Sequence, residues 1–92
     1  MLDLVRTTQF KKDYKLALKR GCNESDFIEV LKYLIAEEPL PRKYLDHPLE
    51  NSKAYKKARE CHINPDWLLI YRIEKDTLIL ELIRTGSHSD LY

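Results

Sequence analysis

The sequence predicts a single α+β domain over residues 1–92, in the order β-α-α-β-β-β, with a mostly antiparallel sheet and two N-terminal helices packed on one face. Three observations support this class. A chain of 92 residues fits one domain. Apolar residues recur at helical spacing in the first part of the chain. The second part contains apolar runs joined by short polar turns, which is typical of antiparallel strands.

The first elements are a short strand and a helix. Residues 2–6 alternate weakly in polarity, which indicates a strand. Thr7 or Thr8 can cap the following helix, because a hydroxyl accepts an N–H of the first turn. We expect Gly21 to end this helix, since glycine adopts the left-handed conformation without steric cost.

A second helix follows after a few residues, starting near Asn23 or Ser25. Pro39 and Pro41 are expected to stop it, because proline lacks the backbone donor that a helix needs. The short connection between the two helices predicts a helical hairpin. The apolar stripe that would face the core consists of Phe27, Val30, Leu31, Leu34 and Ile35.

The C-terminal half predicts a long connection and then three strands. The connection covers residues 39–55, and its length is unusual in so small a domain unless it has a function. The predicted strands are residues 56–62, 67–73 and 77–84. Because the last two are strongly apolar and joined by a short polar turn, they predict a hairpin in the centre of the sheet.

Basic residues concentrate in two stretches, although the formal net charge is only +1. Residues 1–20 carry six lysine and arginine residues against two acidic ones, and residues 51–60 carry four against one. A phosphate-binding surface needs local positive potential, so this distribution permits nucleic-acid binding. By charge alone, solvated helix faces are the more ordinary interpretation.

The composition indicates a cytoplasmic protein. No stretch is long and apolar enough to cross a membrane, and the first ten residues lack the apolar core of a secretory signal. Cys22 and Cys61 are the only cysteines, whereas small secreted domains usually carry more in a disulfide framework. We therefore expect both to be reduced thiols, with Cys61 buried beside the core.

All three histidines, His47, His62 and His88, lie in the C-terminal half, beside predicted turns or strand ends. Imidazole is the side chain best suited to proton transfer near neutral pH. RNA cleavage without a metal needs a base for the 2′-hydroxyl, an acid for the leaving 5′-oxygen and a cation for the phosphate. Neighbouring side chains that fit these needs are Glu60, Asp66, Arg59, Arg84 and Tyr92.

Two other interpretations of the same residues remain at this point. Each histidine could be structural, and Trp67 could start the buried hairpin or stand at its rim. A zinc site would use Cys61 and His62 with the other two histidines. Adjacent residues of a strand point to opposite faces, however, so Cys61 and His62 would not readily share one ion.

Four motifs occur in a characteristic order: DHPL at residues 46–49, RECH at 59–62, NPDWLLIY at 64–71 and RTGSHSDLY at 84–92. With this order, the chain resembles the YafQ-type toxins of the RelE superfamily. The resemblance covers essentially the whole chain. It implies a compact RelE-like domain, in agreement with the fold predicted from periodicity.

The resemblance implies the toxin of a bacterial type II toxin–antitoxin pair. Such a toxin is a ribosome-dependent endoribonuclease that cleaves mRNA in the ribosomal A site by acid–base catalysis, needs no metal or other cofactor, and inhibits translation. The implied partners are a tightly bound antitoxin, the ribosome with its mRNA, and operator DNA through the toxin–antitoxin complex, but no membrane. The alternative function is a catalytically weak binding module that acts through antitoxin, ribosome or operator DNA.

The resemblance also implies roles for individual residues. His88 is the expected general acid. His47 and His62, with Asp66, are expected to supply the general base and to hold the reacting phosphate. The implied catalytic positions are thus His47, His62, Asp66 and His88. The positions implied in RNA or phosphate binding, or in positioning, are Glu60, Arg59, Arg84, Tyr92 and Trp67.

One segment departs from the family pattern. Residues 50–58 contain no glycine and are slightly longer than the usual glycine-containing turn. Asn51 can adopt the left-handed conformation that glycine would supply. The changed length is expected to shift His47 relative to His62.

Overall fold

The computed structural model describes residues 2–49 and 55–92. The strands are Asp3–Arg6 (β1), His47–Pro48 (β2), Arg59–Asn64 (β3), Trp67–Glu74 (β4) and Ile79–Gly86 (β5). The helices are Thr8–Lys19 (α1), Glu24–Ile35 (α2) and His88–Leu91 (α3), with a 3-10 helix at Arg42–Tyr44. Within these residues no helix combines the length and the apolar character that crossing a membrane requires.

The five strands form one sheet in the order β1-β5-β4-β3-β2. β1 runs parallel to β5, and the other three pairs are antiparallel. This confirms the predicted α+β class, the mostly antiparallel sheet and the β4–β5 hairpin in the sheet interior. β2 and α3 are additional elements that the sequence did not predict.

Helix α1 has the boundaries that the sequence predicts. The Thr7 side chain accepts a hydrogen bond from the Phe10 N–H at 2.9 Å and so caps the helix. At the other end Gly21 has a φ of 97°, a left-handed conformation that favours glycine.

Helix α2 starts as expected and ends before its prolines. Asn23 caps its first turn through the Ser25 N–H. Glu37 is left-handed, with φ 58°, and Glu38 N–H donates to Tyr33 O at 2.9 Å. This Schellman turn satisfies the last carbonyls of the helix. The helix therefore ends before Pro39 and Pro41, as expected, and this turn determines its last residue.

Two predicted strands start late, and the backbone explains both differences. The strand predicted at 56–62 is preceded by a turn in which Ala58 N–H donates to Tyr55 O at 3.1 Å and Lys57 has φ 59°. The strand predicted at 77–84 is shifted towards the C-terminus because Leu78, with φ 55°, still belongs to the turn. A left-handed residue cannot continue a strand.

The core lies between helices α1 and α2 and one face of the sheet. The rings of Phe10 and Tyr14 in α1 pack against Phe27 in α2, with centroids 6.0 and 4.9 Å apart, so the two helices associate as predicted. Cys61 is fully buried, as expected, and both cysteines are free thiols. The buried core residues on the sheet include Cys61, Ile63, Trp67, Leu69, Tyr71, Leu80 and Leu82.

Candidate active site

One cross-strand row carries polar side chains on the sheet face away from the helices. His47 pairs with Glu60, Glu60 with Ile70, and Ile70 with Arg84. Residues directly opposite each other in antiparallel strands point to the same face. The row therefore brings together three residues from β2, β3 and β5 that are far apart in sequence.

A β-bulge places Arg84 in this row. Leu82 pairs with Tyr71 and Arg84 with Ile70, which leaves Ile83 as an extra residue in β5. Regular alternation would put Arg84 on the core side with Leu82, and the extra residue reverses its direction. Thr7, the cap of α1, holds the bulge because its hydroxyl donates to Ile83 O at 2.7 Å.

Four side chains meet at Glu60, and we call them the Glu60 cluster: Glu60, His47, His62 and Tyr92. Oε1 of Glu60 lies 3.4 Å from Nε2 of His47 and 4.0 Å from Nε2 of His62. Oε2 of Glu60 accepts a hydrogen bond from the Tyr92 hydroxyl. The Glu60 side chain is only 6% exposed, whereas His47 is 47% and His62 22% exposed. A buried carboxylate thus faces two imidazoles that solvent can reach.

The backbone fixes the tautomer of His47. Nδ1 lies 2.7 Å from Leu45 O, and a carbonyl oxygen only accepts, so Nδ1 carries a hydrogen. Leu45 has a left-handed φ of 49°. In the neutral ring the lone pair is consequently on Nε2, the atom that faces Glu60.

Asp46, the residue before His47, is held by side chains of β3 and β4. Asp46 accepts hydrogen bonds from Arg59 Nε at 3.2 Å and Nη2 at 3.0 Å, and from the Tyr71 hydroxyl. The pKa of Arg59 is raised by the Asp46 hydrogen bond, and burial together with Asp46 raises the pKa of Tyr71. This geometry makes Arg59 a positioning residue for the segment that carries His47, which is one of the two roles predicted for it.

Arg84 is held by two neighbours. Its Nε and Nη2 donate to the two Asp13 carboxylate oxygens at 2.9 and 3.0 Å, a bidentate ion pair. Asp13 raises the pKa of Arg84, and a side-chain hydrogen bond with Tyr55 adds to this effect. Thr85 N–H also donates to Asp13 at 3.3 Å, so α1 clamps the end of β5 next to the site.

Burial would raise the pKa of Asp13, but hydrogen bonds from Arg84, Gln9 and Thr85 outweigh it and lower the pKa below 3.8. The ionised carboxylate therefore stabilises the fold above its unfolded-state pKa, and this stabilisation is lost as the pH falls through the lowered value. We expect Asp13→Asn to lower the free energy of unfolding at pH 7 by about 1–3 kcal/mol. The difference from wild type should be smaller at a pH below the lowered value than at pH 7.

Urea unfolding at both pH values measures this effect. Asp3→Asn is the matched control, since Asp3 is exposed and has no ion pair among the described residues. Equal unfolding midpoints for wild type and Asp13→Asn at pH 7 would contradict the prediction.

The C-terminal helix brings His88 and Tyr92 to the site. Ser87 caps it and forms a capping box with Asp90. The rings of His88 and Tyr92 lie 5.0 Å apart at 44°, and both side chains are exposed. Burial and the hydrogen bond to Glu60 raise the pKa of Tyr92, so its phenol stays protonated into the alkaline range. His88 thereby connects to the Glu60 cluster through Tyr92.

Two predicted site residues lie elsewhere. Asp66 is exposed in the β3–β4 turn and lines a cleft of about 430 Å³ beside Arg20 and Asp90, outside the Glu60 cluster. Trp67 is 1% exposed and packs against Phe27 in the core. The prediction that Trp67 contacts RNA is therefore wrong, because its indole cannot stack on a base from inside the core.

Sequence reasoning missed Asp13 and gave Tyr55 no definite role. The partners Asp13 and Arg84 are 71 residues apart, and only the fold brings them together. Tyr55 lies within residues 50–58, the segment that departs from the family pattern. The expectation about Asn51 lies outside the described residues, since the structure does not describe residues 50–54.

The fold is that of the small RelE-like toxin domains. More narrowly, the chain belongs to the YafQ family: a family model described as "Bacterial toxin of type II toxin-antitoxin system, YafQ" matches residues 2–92. The chain is also 41% identical, over 91 residues, to the mRNA interferase toxin YafQ of Escherichia coli strain B. That alignment covers 98% of this chain and 95% of the E. coli protein.

Solved structures agree with this assignment. A metal-bound toxin from Helicobacter pylori superposes with a TM-score of 0.92 at 42% identity and full coverage of both chains. The E. coli DinJ–YafQ complex matches with a TM-score of 0.89 at 39% identity, covering 100% of this chain and 99% of the other.

The metal in the Helicobacter pylori structure raises the question of a metal site here. Among residues 2–49 and 55–92, no group of three or more His, Cys, Asp or Glu side chains has the geometry to hold an ion. Cys61 points into the core while His62 belongs to the Glu60 cluster, so these neighbours do not face one point.

Proposed function

We propose that this chain is an endoribonuclease, the toxin of a type II toxin–antitoxin system, which cuts mRNA in the ribosomal A site by metal-independent acid–base catalysis. One observation carries the proposal: the buried carboxylate of Glu60 lies within 4.0 Å of Nε2 of both His47 and His62 on an open face of the sheet. Such a carboxylate stabilises an imidazolium ion that forms when a histidine accepts a proton. The E. coli relatives named mRNA interferases support the substrate.

His47 is the general base of this mechanism. Leu45 O holds the hydrogen on Nδ1, so that the Nε2 lone pair is available for the 2′-hydroxyl proton. The side chain is 47% exposed, which gives the ribose access. As the proton arrives at Nε2, the Glu60 carboxylate stabilises the positive ring.

Arg84 and His62 hold the phosphate. Arg84 lies in the same cross-strand row as Glu60, two strands away, at about 10 Å. Its paired, permanently charged guanidinium offsets the negative charge that grows on the phosphate. His62 supplies a second donor from β3.

His88 is the general acid. The deprotonated 2′-oxygen attacks phosphorus, the bond from phosphorus to the 5′-oxygen breaks, and His88 protonates that oxygen. The products are a 2′,3′-cyclic phosphate and a 5′-hydroxyl end. His47 gains one proton and His88 loses one, so protons and charge balance. Tyr92, 60% exposed and next to His88, stacks on an unpaired base beside the cut.

The toxin depends on the ribosome for positioning. Both arginines near the site, Arg59 and Arg84, already carry an aspartate partner. Within residues 2–49 and 55–92, both guanidinium groups that flank the Glu60 cluster are thus already bound to carboxylates and hold a flexible RNA strand less firmly. Free RNA should therefore be cut poorly. An mRNA fixed in the A site is held with its 2′-oxygen, phosphorus and leaving 5′-oxygen in line.

A cognate antitoxin is the inhibitory partner. The E. coli complex of DinJ with YafQ, whose toxin chain is similar over its whole length, supports this. Operator DNA would be bound indirectly, through the toxin–antitoxin complex. The site of action is the cytoplasm, where the ribosomes translate.

Primer extension on a reporter mRNA in a bacterial translation extract tests the proposal. Adding the toxin should create new mRNA 5′ ends within the reading frame, and EDTA chelation of trace zinc, with free magnesium restored for the ribosomes, should not prevent them. The same RNA without ribosomes should remain largely intact. If translation stops and no new 5′ ends appear, the chain is a binding module that blocks by occupancy, and the nuclease proposal fails.

A further inference from the structure

The helix that carries His88 cannot hold its own position. α3 comprises only His88–Leu91, and isolated helices shorter than about 12–15 residues are marginal in water. It has no buried residue. Contacts with the rest of the molecule must therefore determine where its side chains stand.

Besides the Tyr92 hydroxyl, which donates to Glu60, Asp90 makes those contacts. Its Oδ2 accepts a hydrogen bond from Arg20 Nη1 at 2.7 Å and another from Ser87 N–H at 2.9 Å. Asp90 N–H donates in return to Ser87 Oγ at 3.3 Å. Hydrogen bonds from Ser87, followed by that from Arg20, lower the pKa of Asp90, so the carboxylate is ionised at neutral pH.

Arg20 offers a fixed anchor for this carboxylate. It caps the C-terminus of α1, where its N–H donates to Leu16 O at 3.0 Å and to Ala17 O at 3.2 Å. Ala17 is buried in the core, so this end of α1 moves with the core. The Arg20–Asp90 pair thus ties the short C-terminal helix to the body of the domain, 70 residues away in sequence.

The connection between β5 and α3 is correspondingly tight. A Cβ built on Gly86 would lie 3.0 Å from Asp90 Cβ and 3.1 Å from its Oδ2. A side chain at position 86 would collide with Asp90, so glycine at this position allows Asp90 to pack against the end of β5 and still bind Arg20. The strand end, the helix cap and the ion pair therefore define one arrangement of the C-terminus.

We propose that Arg20 and Asp90 are positioning residues for RNA cleavage: their ion pair fixes α3 so that His88 and Tyr92 stand at the Glu60 cluster. This inference rests on the proposed nuclease function. Neither residue touches the RNA. Without the pair, α3 pivots at Gly86 and moves both side chains, and a displacement of about 1 Å at a catalytic group can cost about a hundredfold in rate.

Hydrogen exchange tests the tether without reference to activity. The amides of Asp90, Leu91 and Tyr92 are protected by bonds to Ser87 O and His88 O. Arg20→Met should speed their exchange about two- to fivefold, the range expected for one exposed ion pair. Wild type should approach the same rates in about 1 M salt, which screens the pair. Lys19→Met, which removes the adjacent exposed cation, should exchange like wild type.

Cleavage kinetics test the consequence. Arg20→Met should lower kcat/KM about tenfold, because the general acid and the stacking ring next to it are displaced together. Arg20→Lys should recover most of the rate, and Lys19→Met should match wild type. Equal losses in Arg20→Met and Lys19→Met would attribute the effect to general positive charge and overturn the proposal.

The two measurements separate this inference from the proposed function. If wild type cuts no mRNA, the nuclease function fails, while faster exchange in Arg20→Met still establishes the tether. If exchange of residues 90–92 is the same in wild type and Arg20→Met, the tether does not exist and the inference is overturned, whatever the activity.

Discussion

His88→Ala should abolish most mRNA cleavage, with a fall in kcat of about a thousandfold, within the range for loss of a general acid. The leaving 5′-oxygen would then depart as an alkoxide without a proton donor. His88 is exposed in α3 and contributes nothing to the core, so the midpoint of thermal unfolding should remain that of wild type. Primer extension gives the cleavage rate, and differential scanning calorimetry gives the midpoint.

A modified substrate distinguishes a general acid from a binding residue. An mRNA with sulfur in place of the bridging 5′-oxygen has a leaving group that needs no protonation. His88→Ala should cut it nearly as fast as wild type does. The matched control is Ser89→Ala, on the next residue of the same helix, which should retain full activity on both substrates. A defect of His88→Ala that persists with the sulfur substrate would exclude the acid role.

Local chemistry explains which parts of the fold were predictable. Thr7 and Gly21 mark the ends of α1 because a cap and a left-handed residue act within a few positions of the chain. The apolar runs of β4 and β5 predicted the central hairpin, because the short polar turn between them is also a signal within a few positions of the chain. The last residue of α2 was not predicted, because a left-handed glutamate at residue 37 gives a far weaker sequence signal than the prolines after it.

Register explains much of what could not be predicted. The alternation of β5 places Arg84 with Leu82 in the core, and only the bulge at Ile83 turns it to the site face. That bulge depends on contacts with Tyr71 and Thr7 that the local sequence does not encode. Trp67 was misassigned for the same reason, since its pairing partner decides which face it occupies.

The C-terminal helix did leave a signal in the sequence. Ser87 and Asp90 stand three apart, the spacing of a capping box, and the structure has both of its hydrogen bonds. Recognition of that box would have predicted a helical turn under His88. The ion pair with Arg20, by contrast, joins residues that no local pattern connects.

Glu60→Gln should lower the cleavage rate about a hundredfold while the protein stays folded. The substitution keeps the size and shape of the side chain, and its amide can still accept from the Tyr92 hydroxyl. It removes the negative charge that lies 3.4 Å from His47 and 4.0 Å from His62.

Tyr92→Phe is the matched control for this variant. It removes the hydroxyl that binds Glu60 but retains the ring that stacks on a base. If Glu60 acts as the charge partner of the histidines, Tyr92→Phe should lose less activity than Glu60→Gln, since it leaves the carboxylate charge in place. The alkaline limb of the pH–rate profile should not depend on Tyr92, because its raised pKa keeps the phenol protonated there.

The two variants together decide what the buried carboxylate does. Equal losses in Glu60→Gln and Tyr92→Phe would mean that Glu60 only holds the C-terminus in place. A large loss confined to Glu60→Gln would mean that one buried charge supports proton transfer at two imidazoles. The geometry favours the second outcome, because both Nε2 atoms approach the same oxygen while Tyr92 occupies the other.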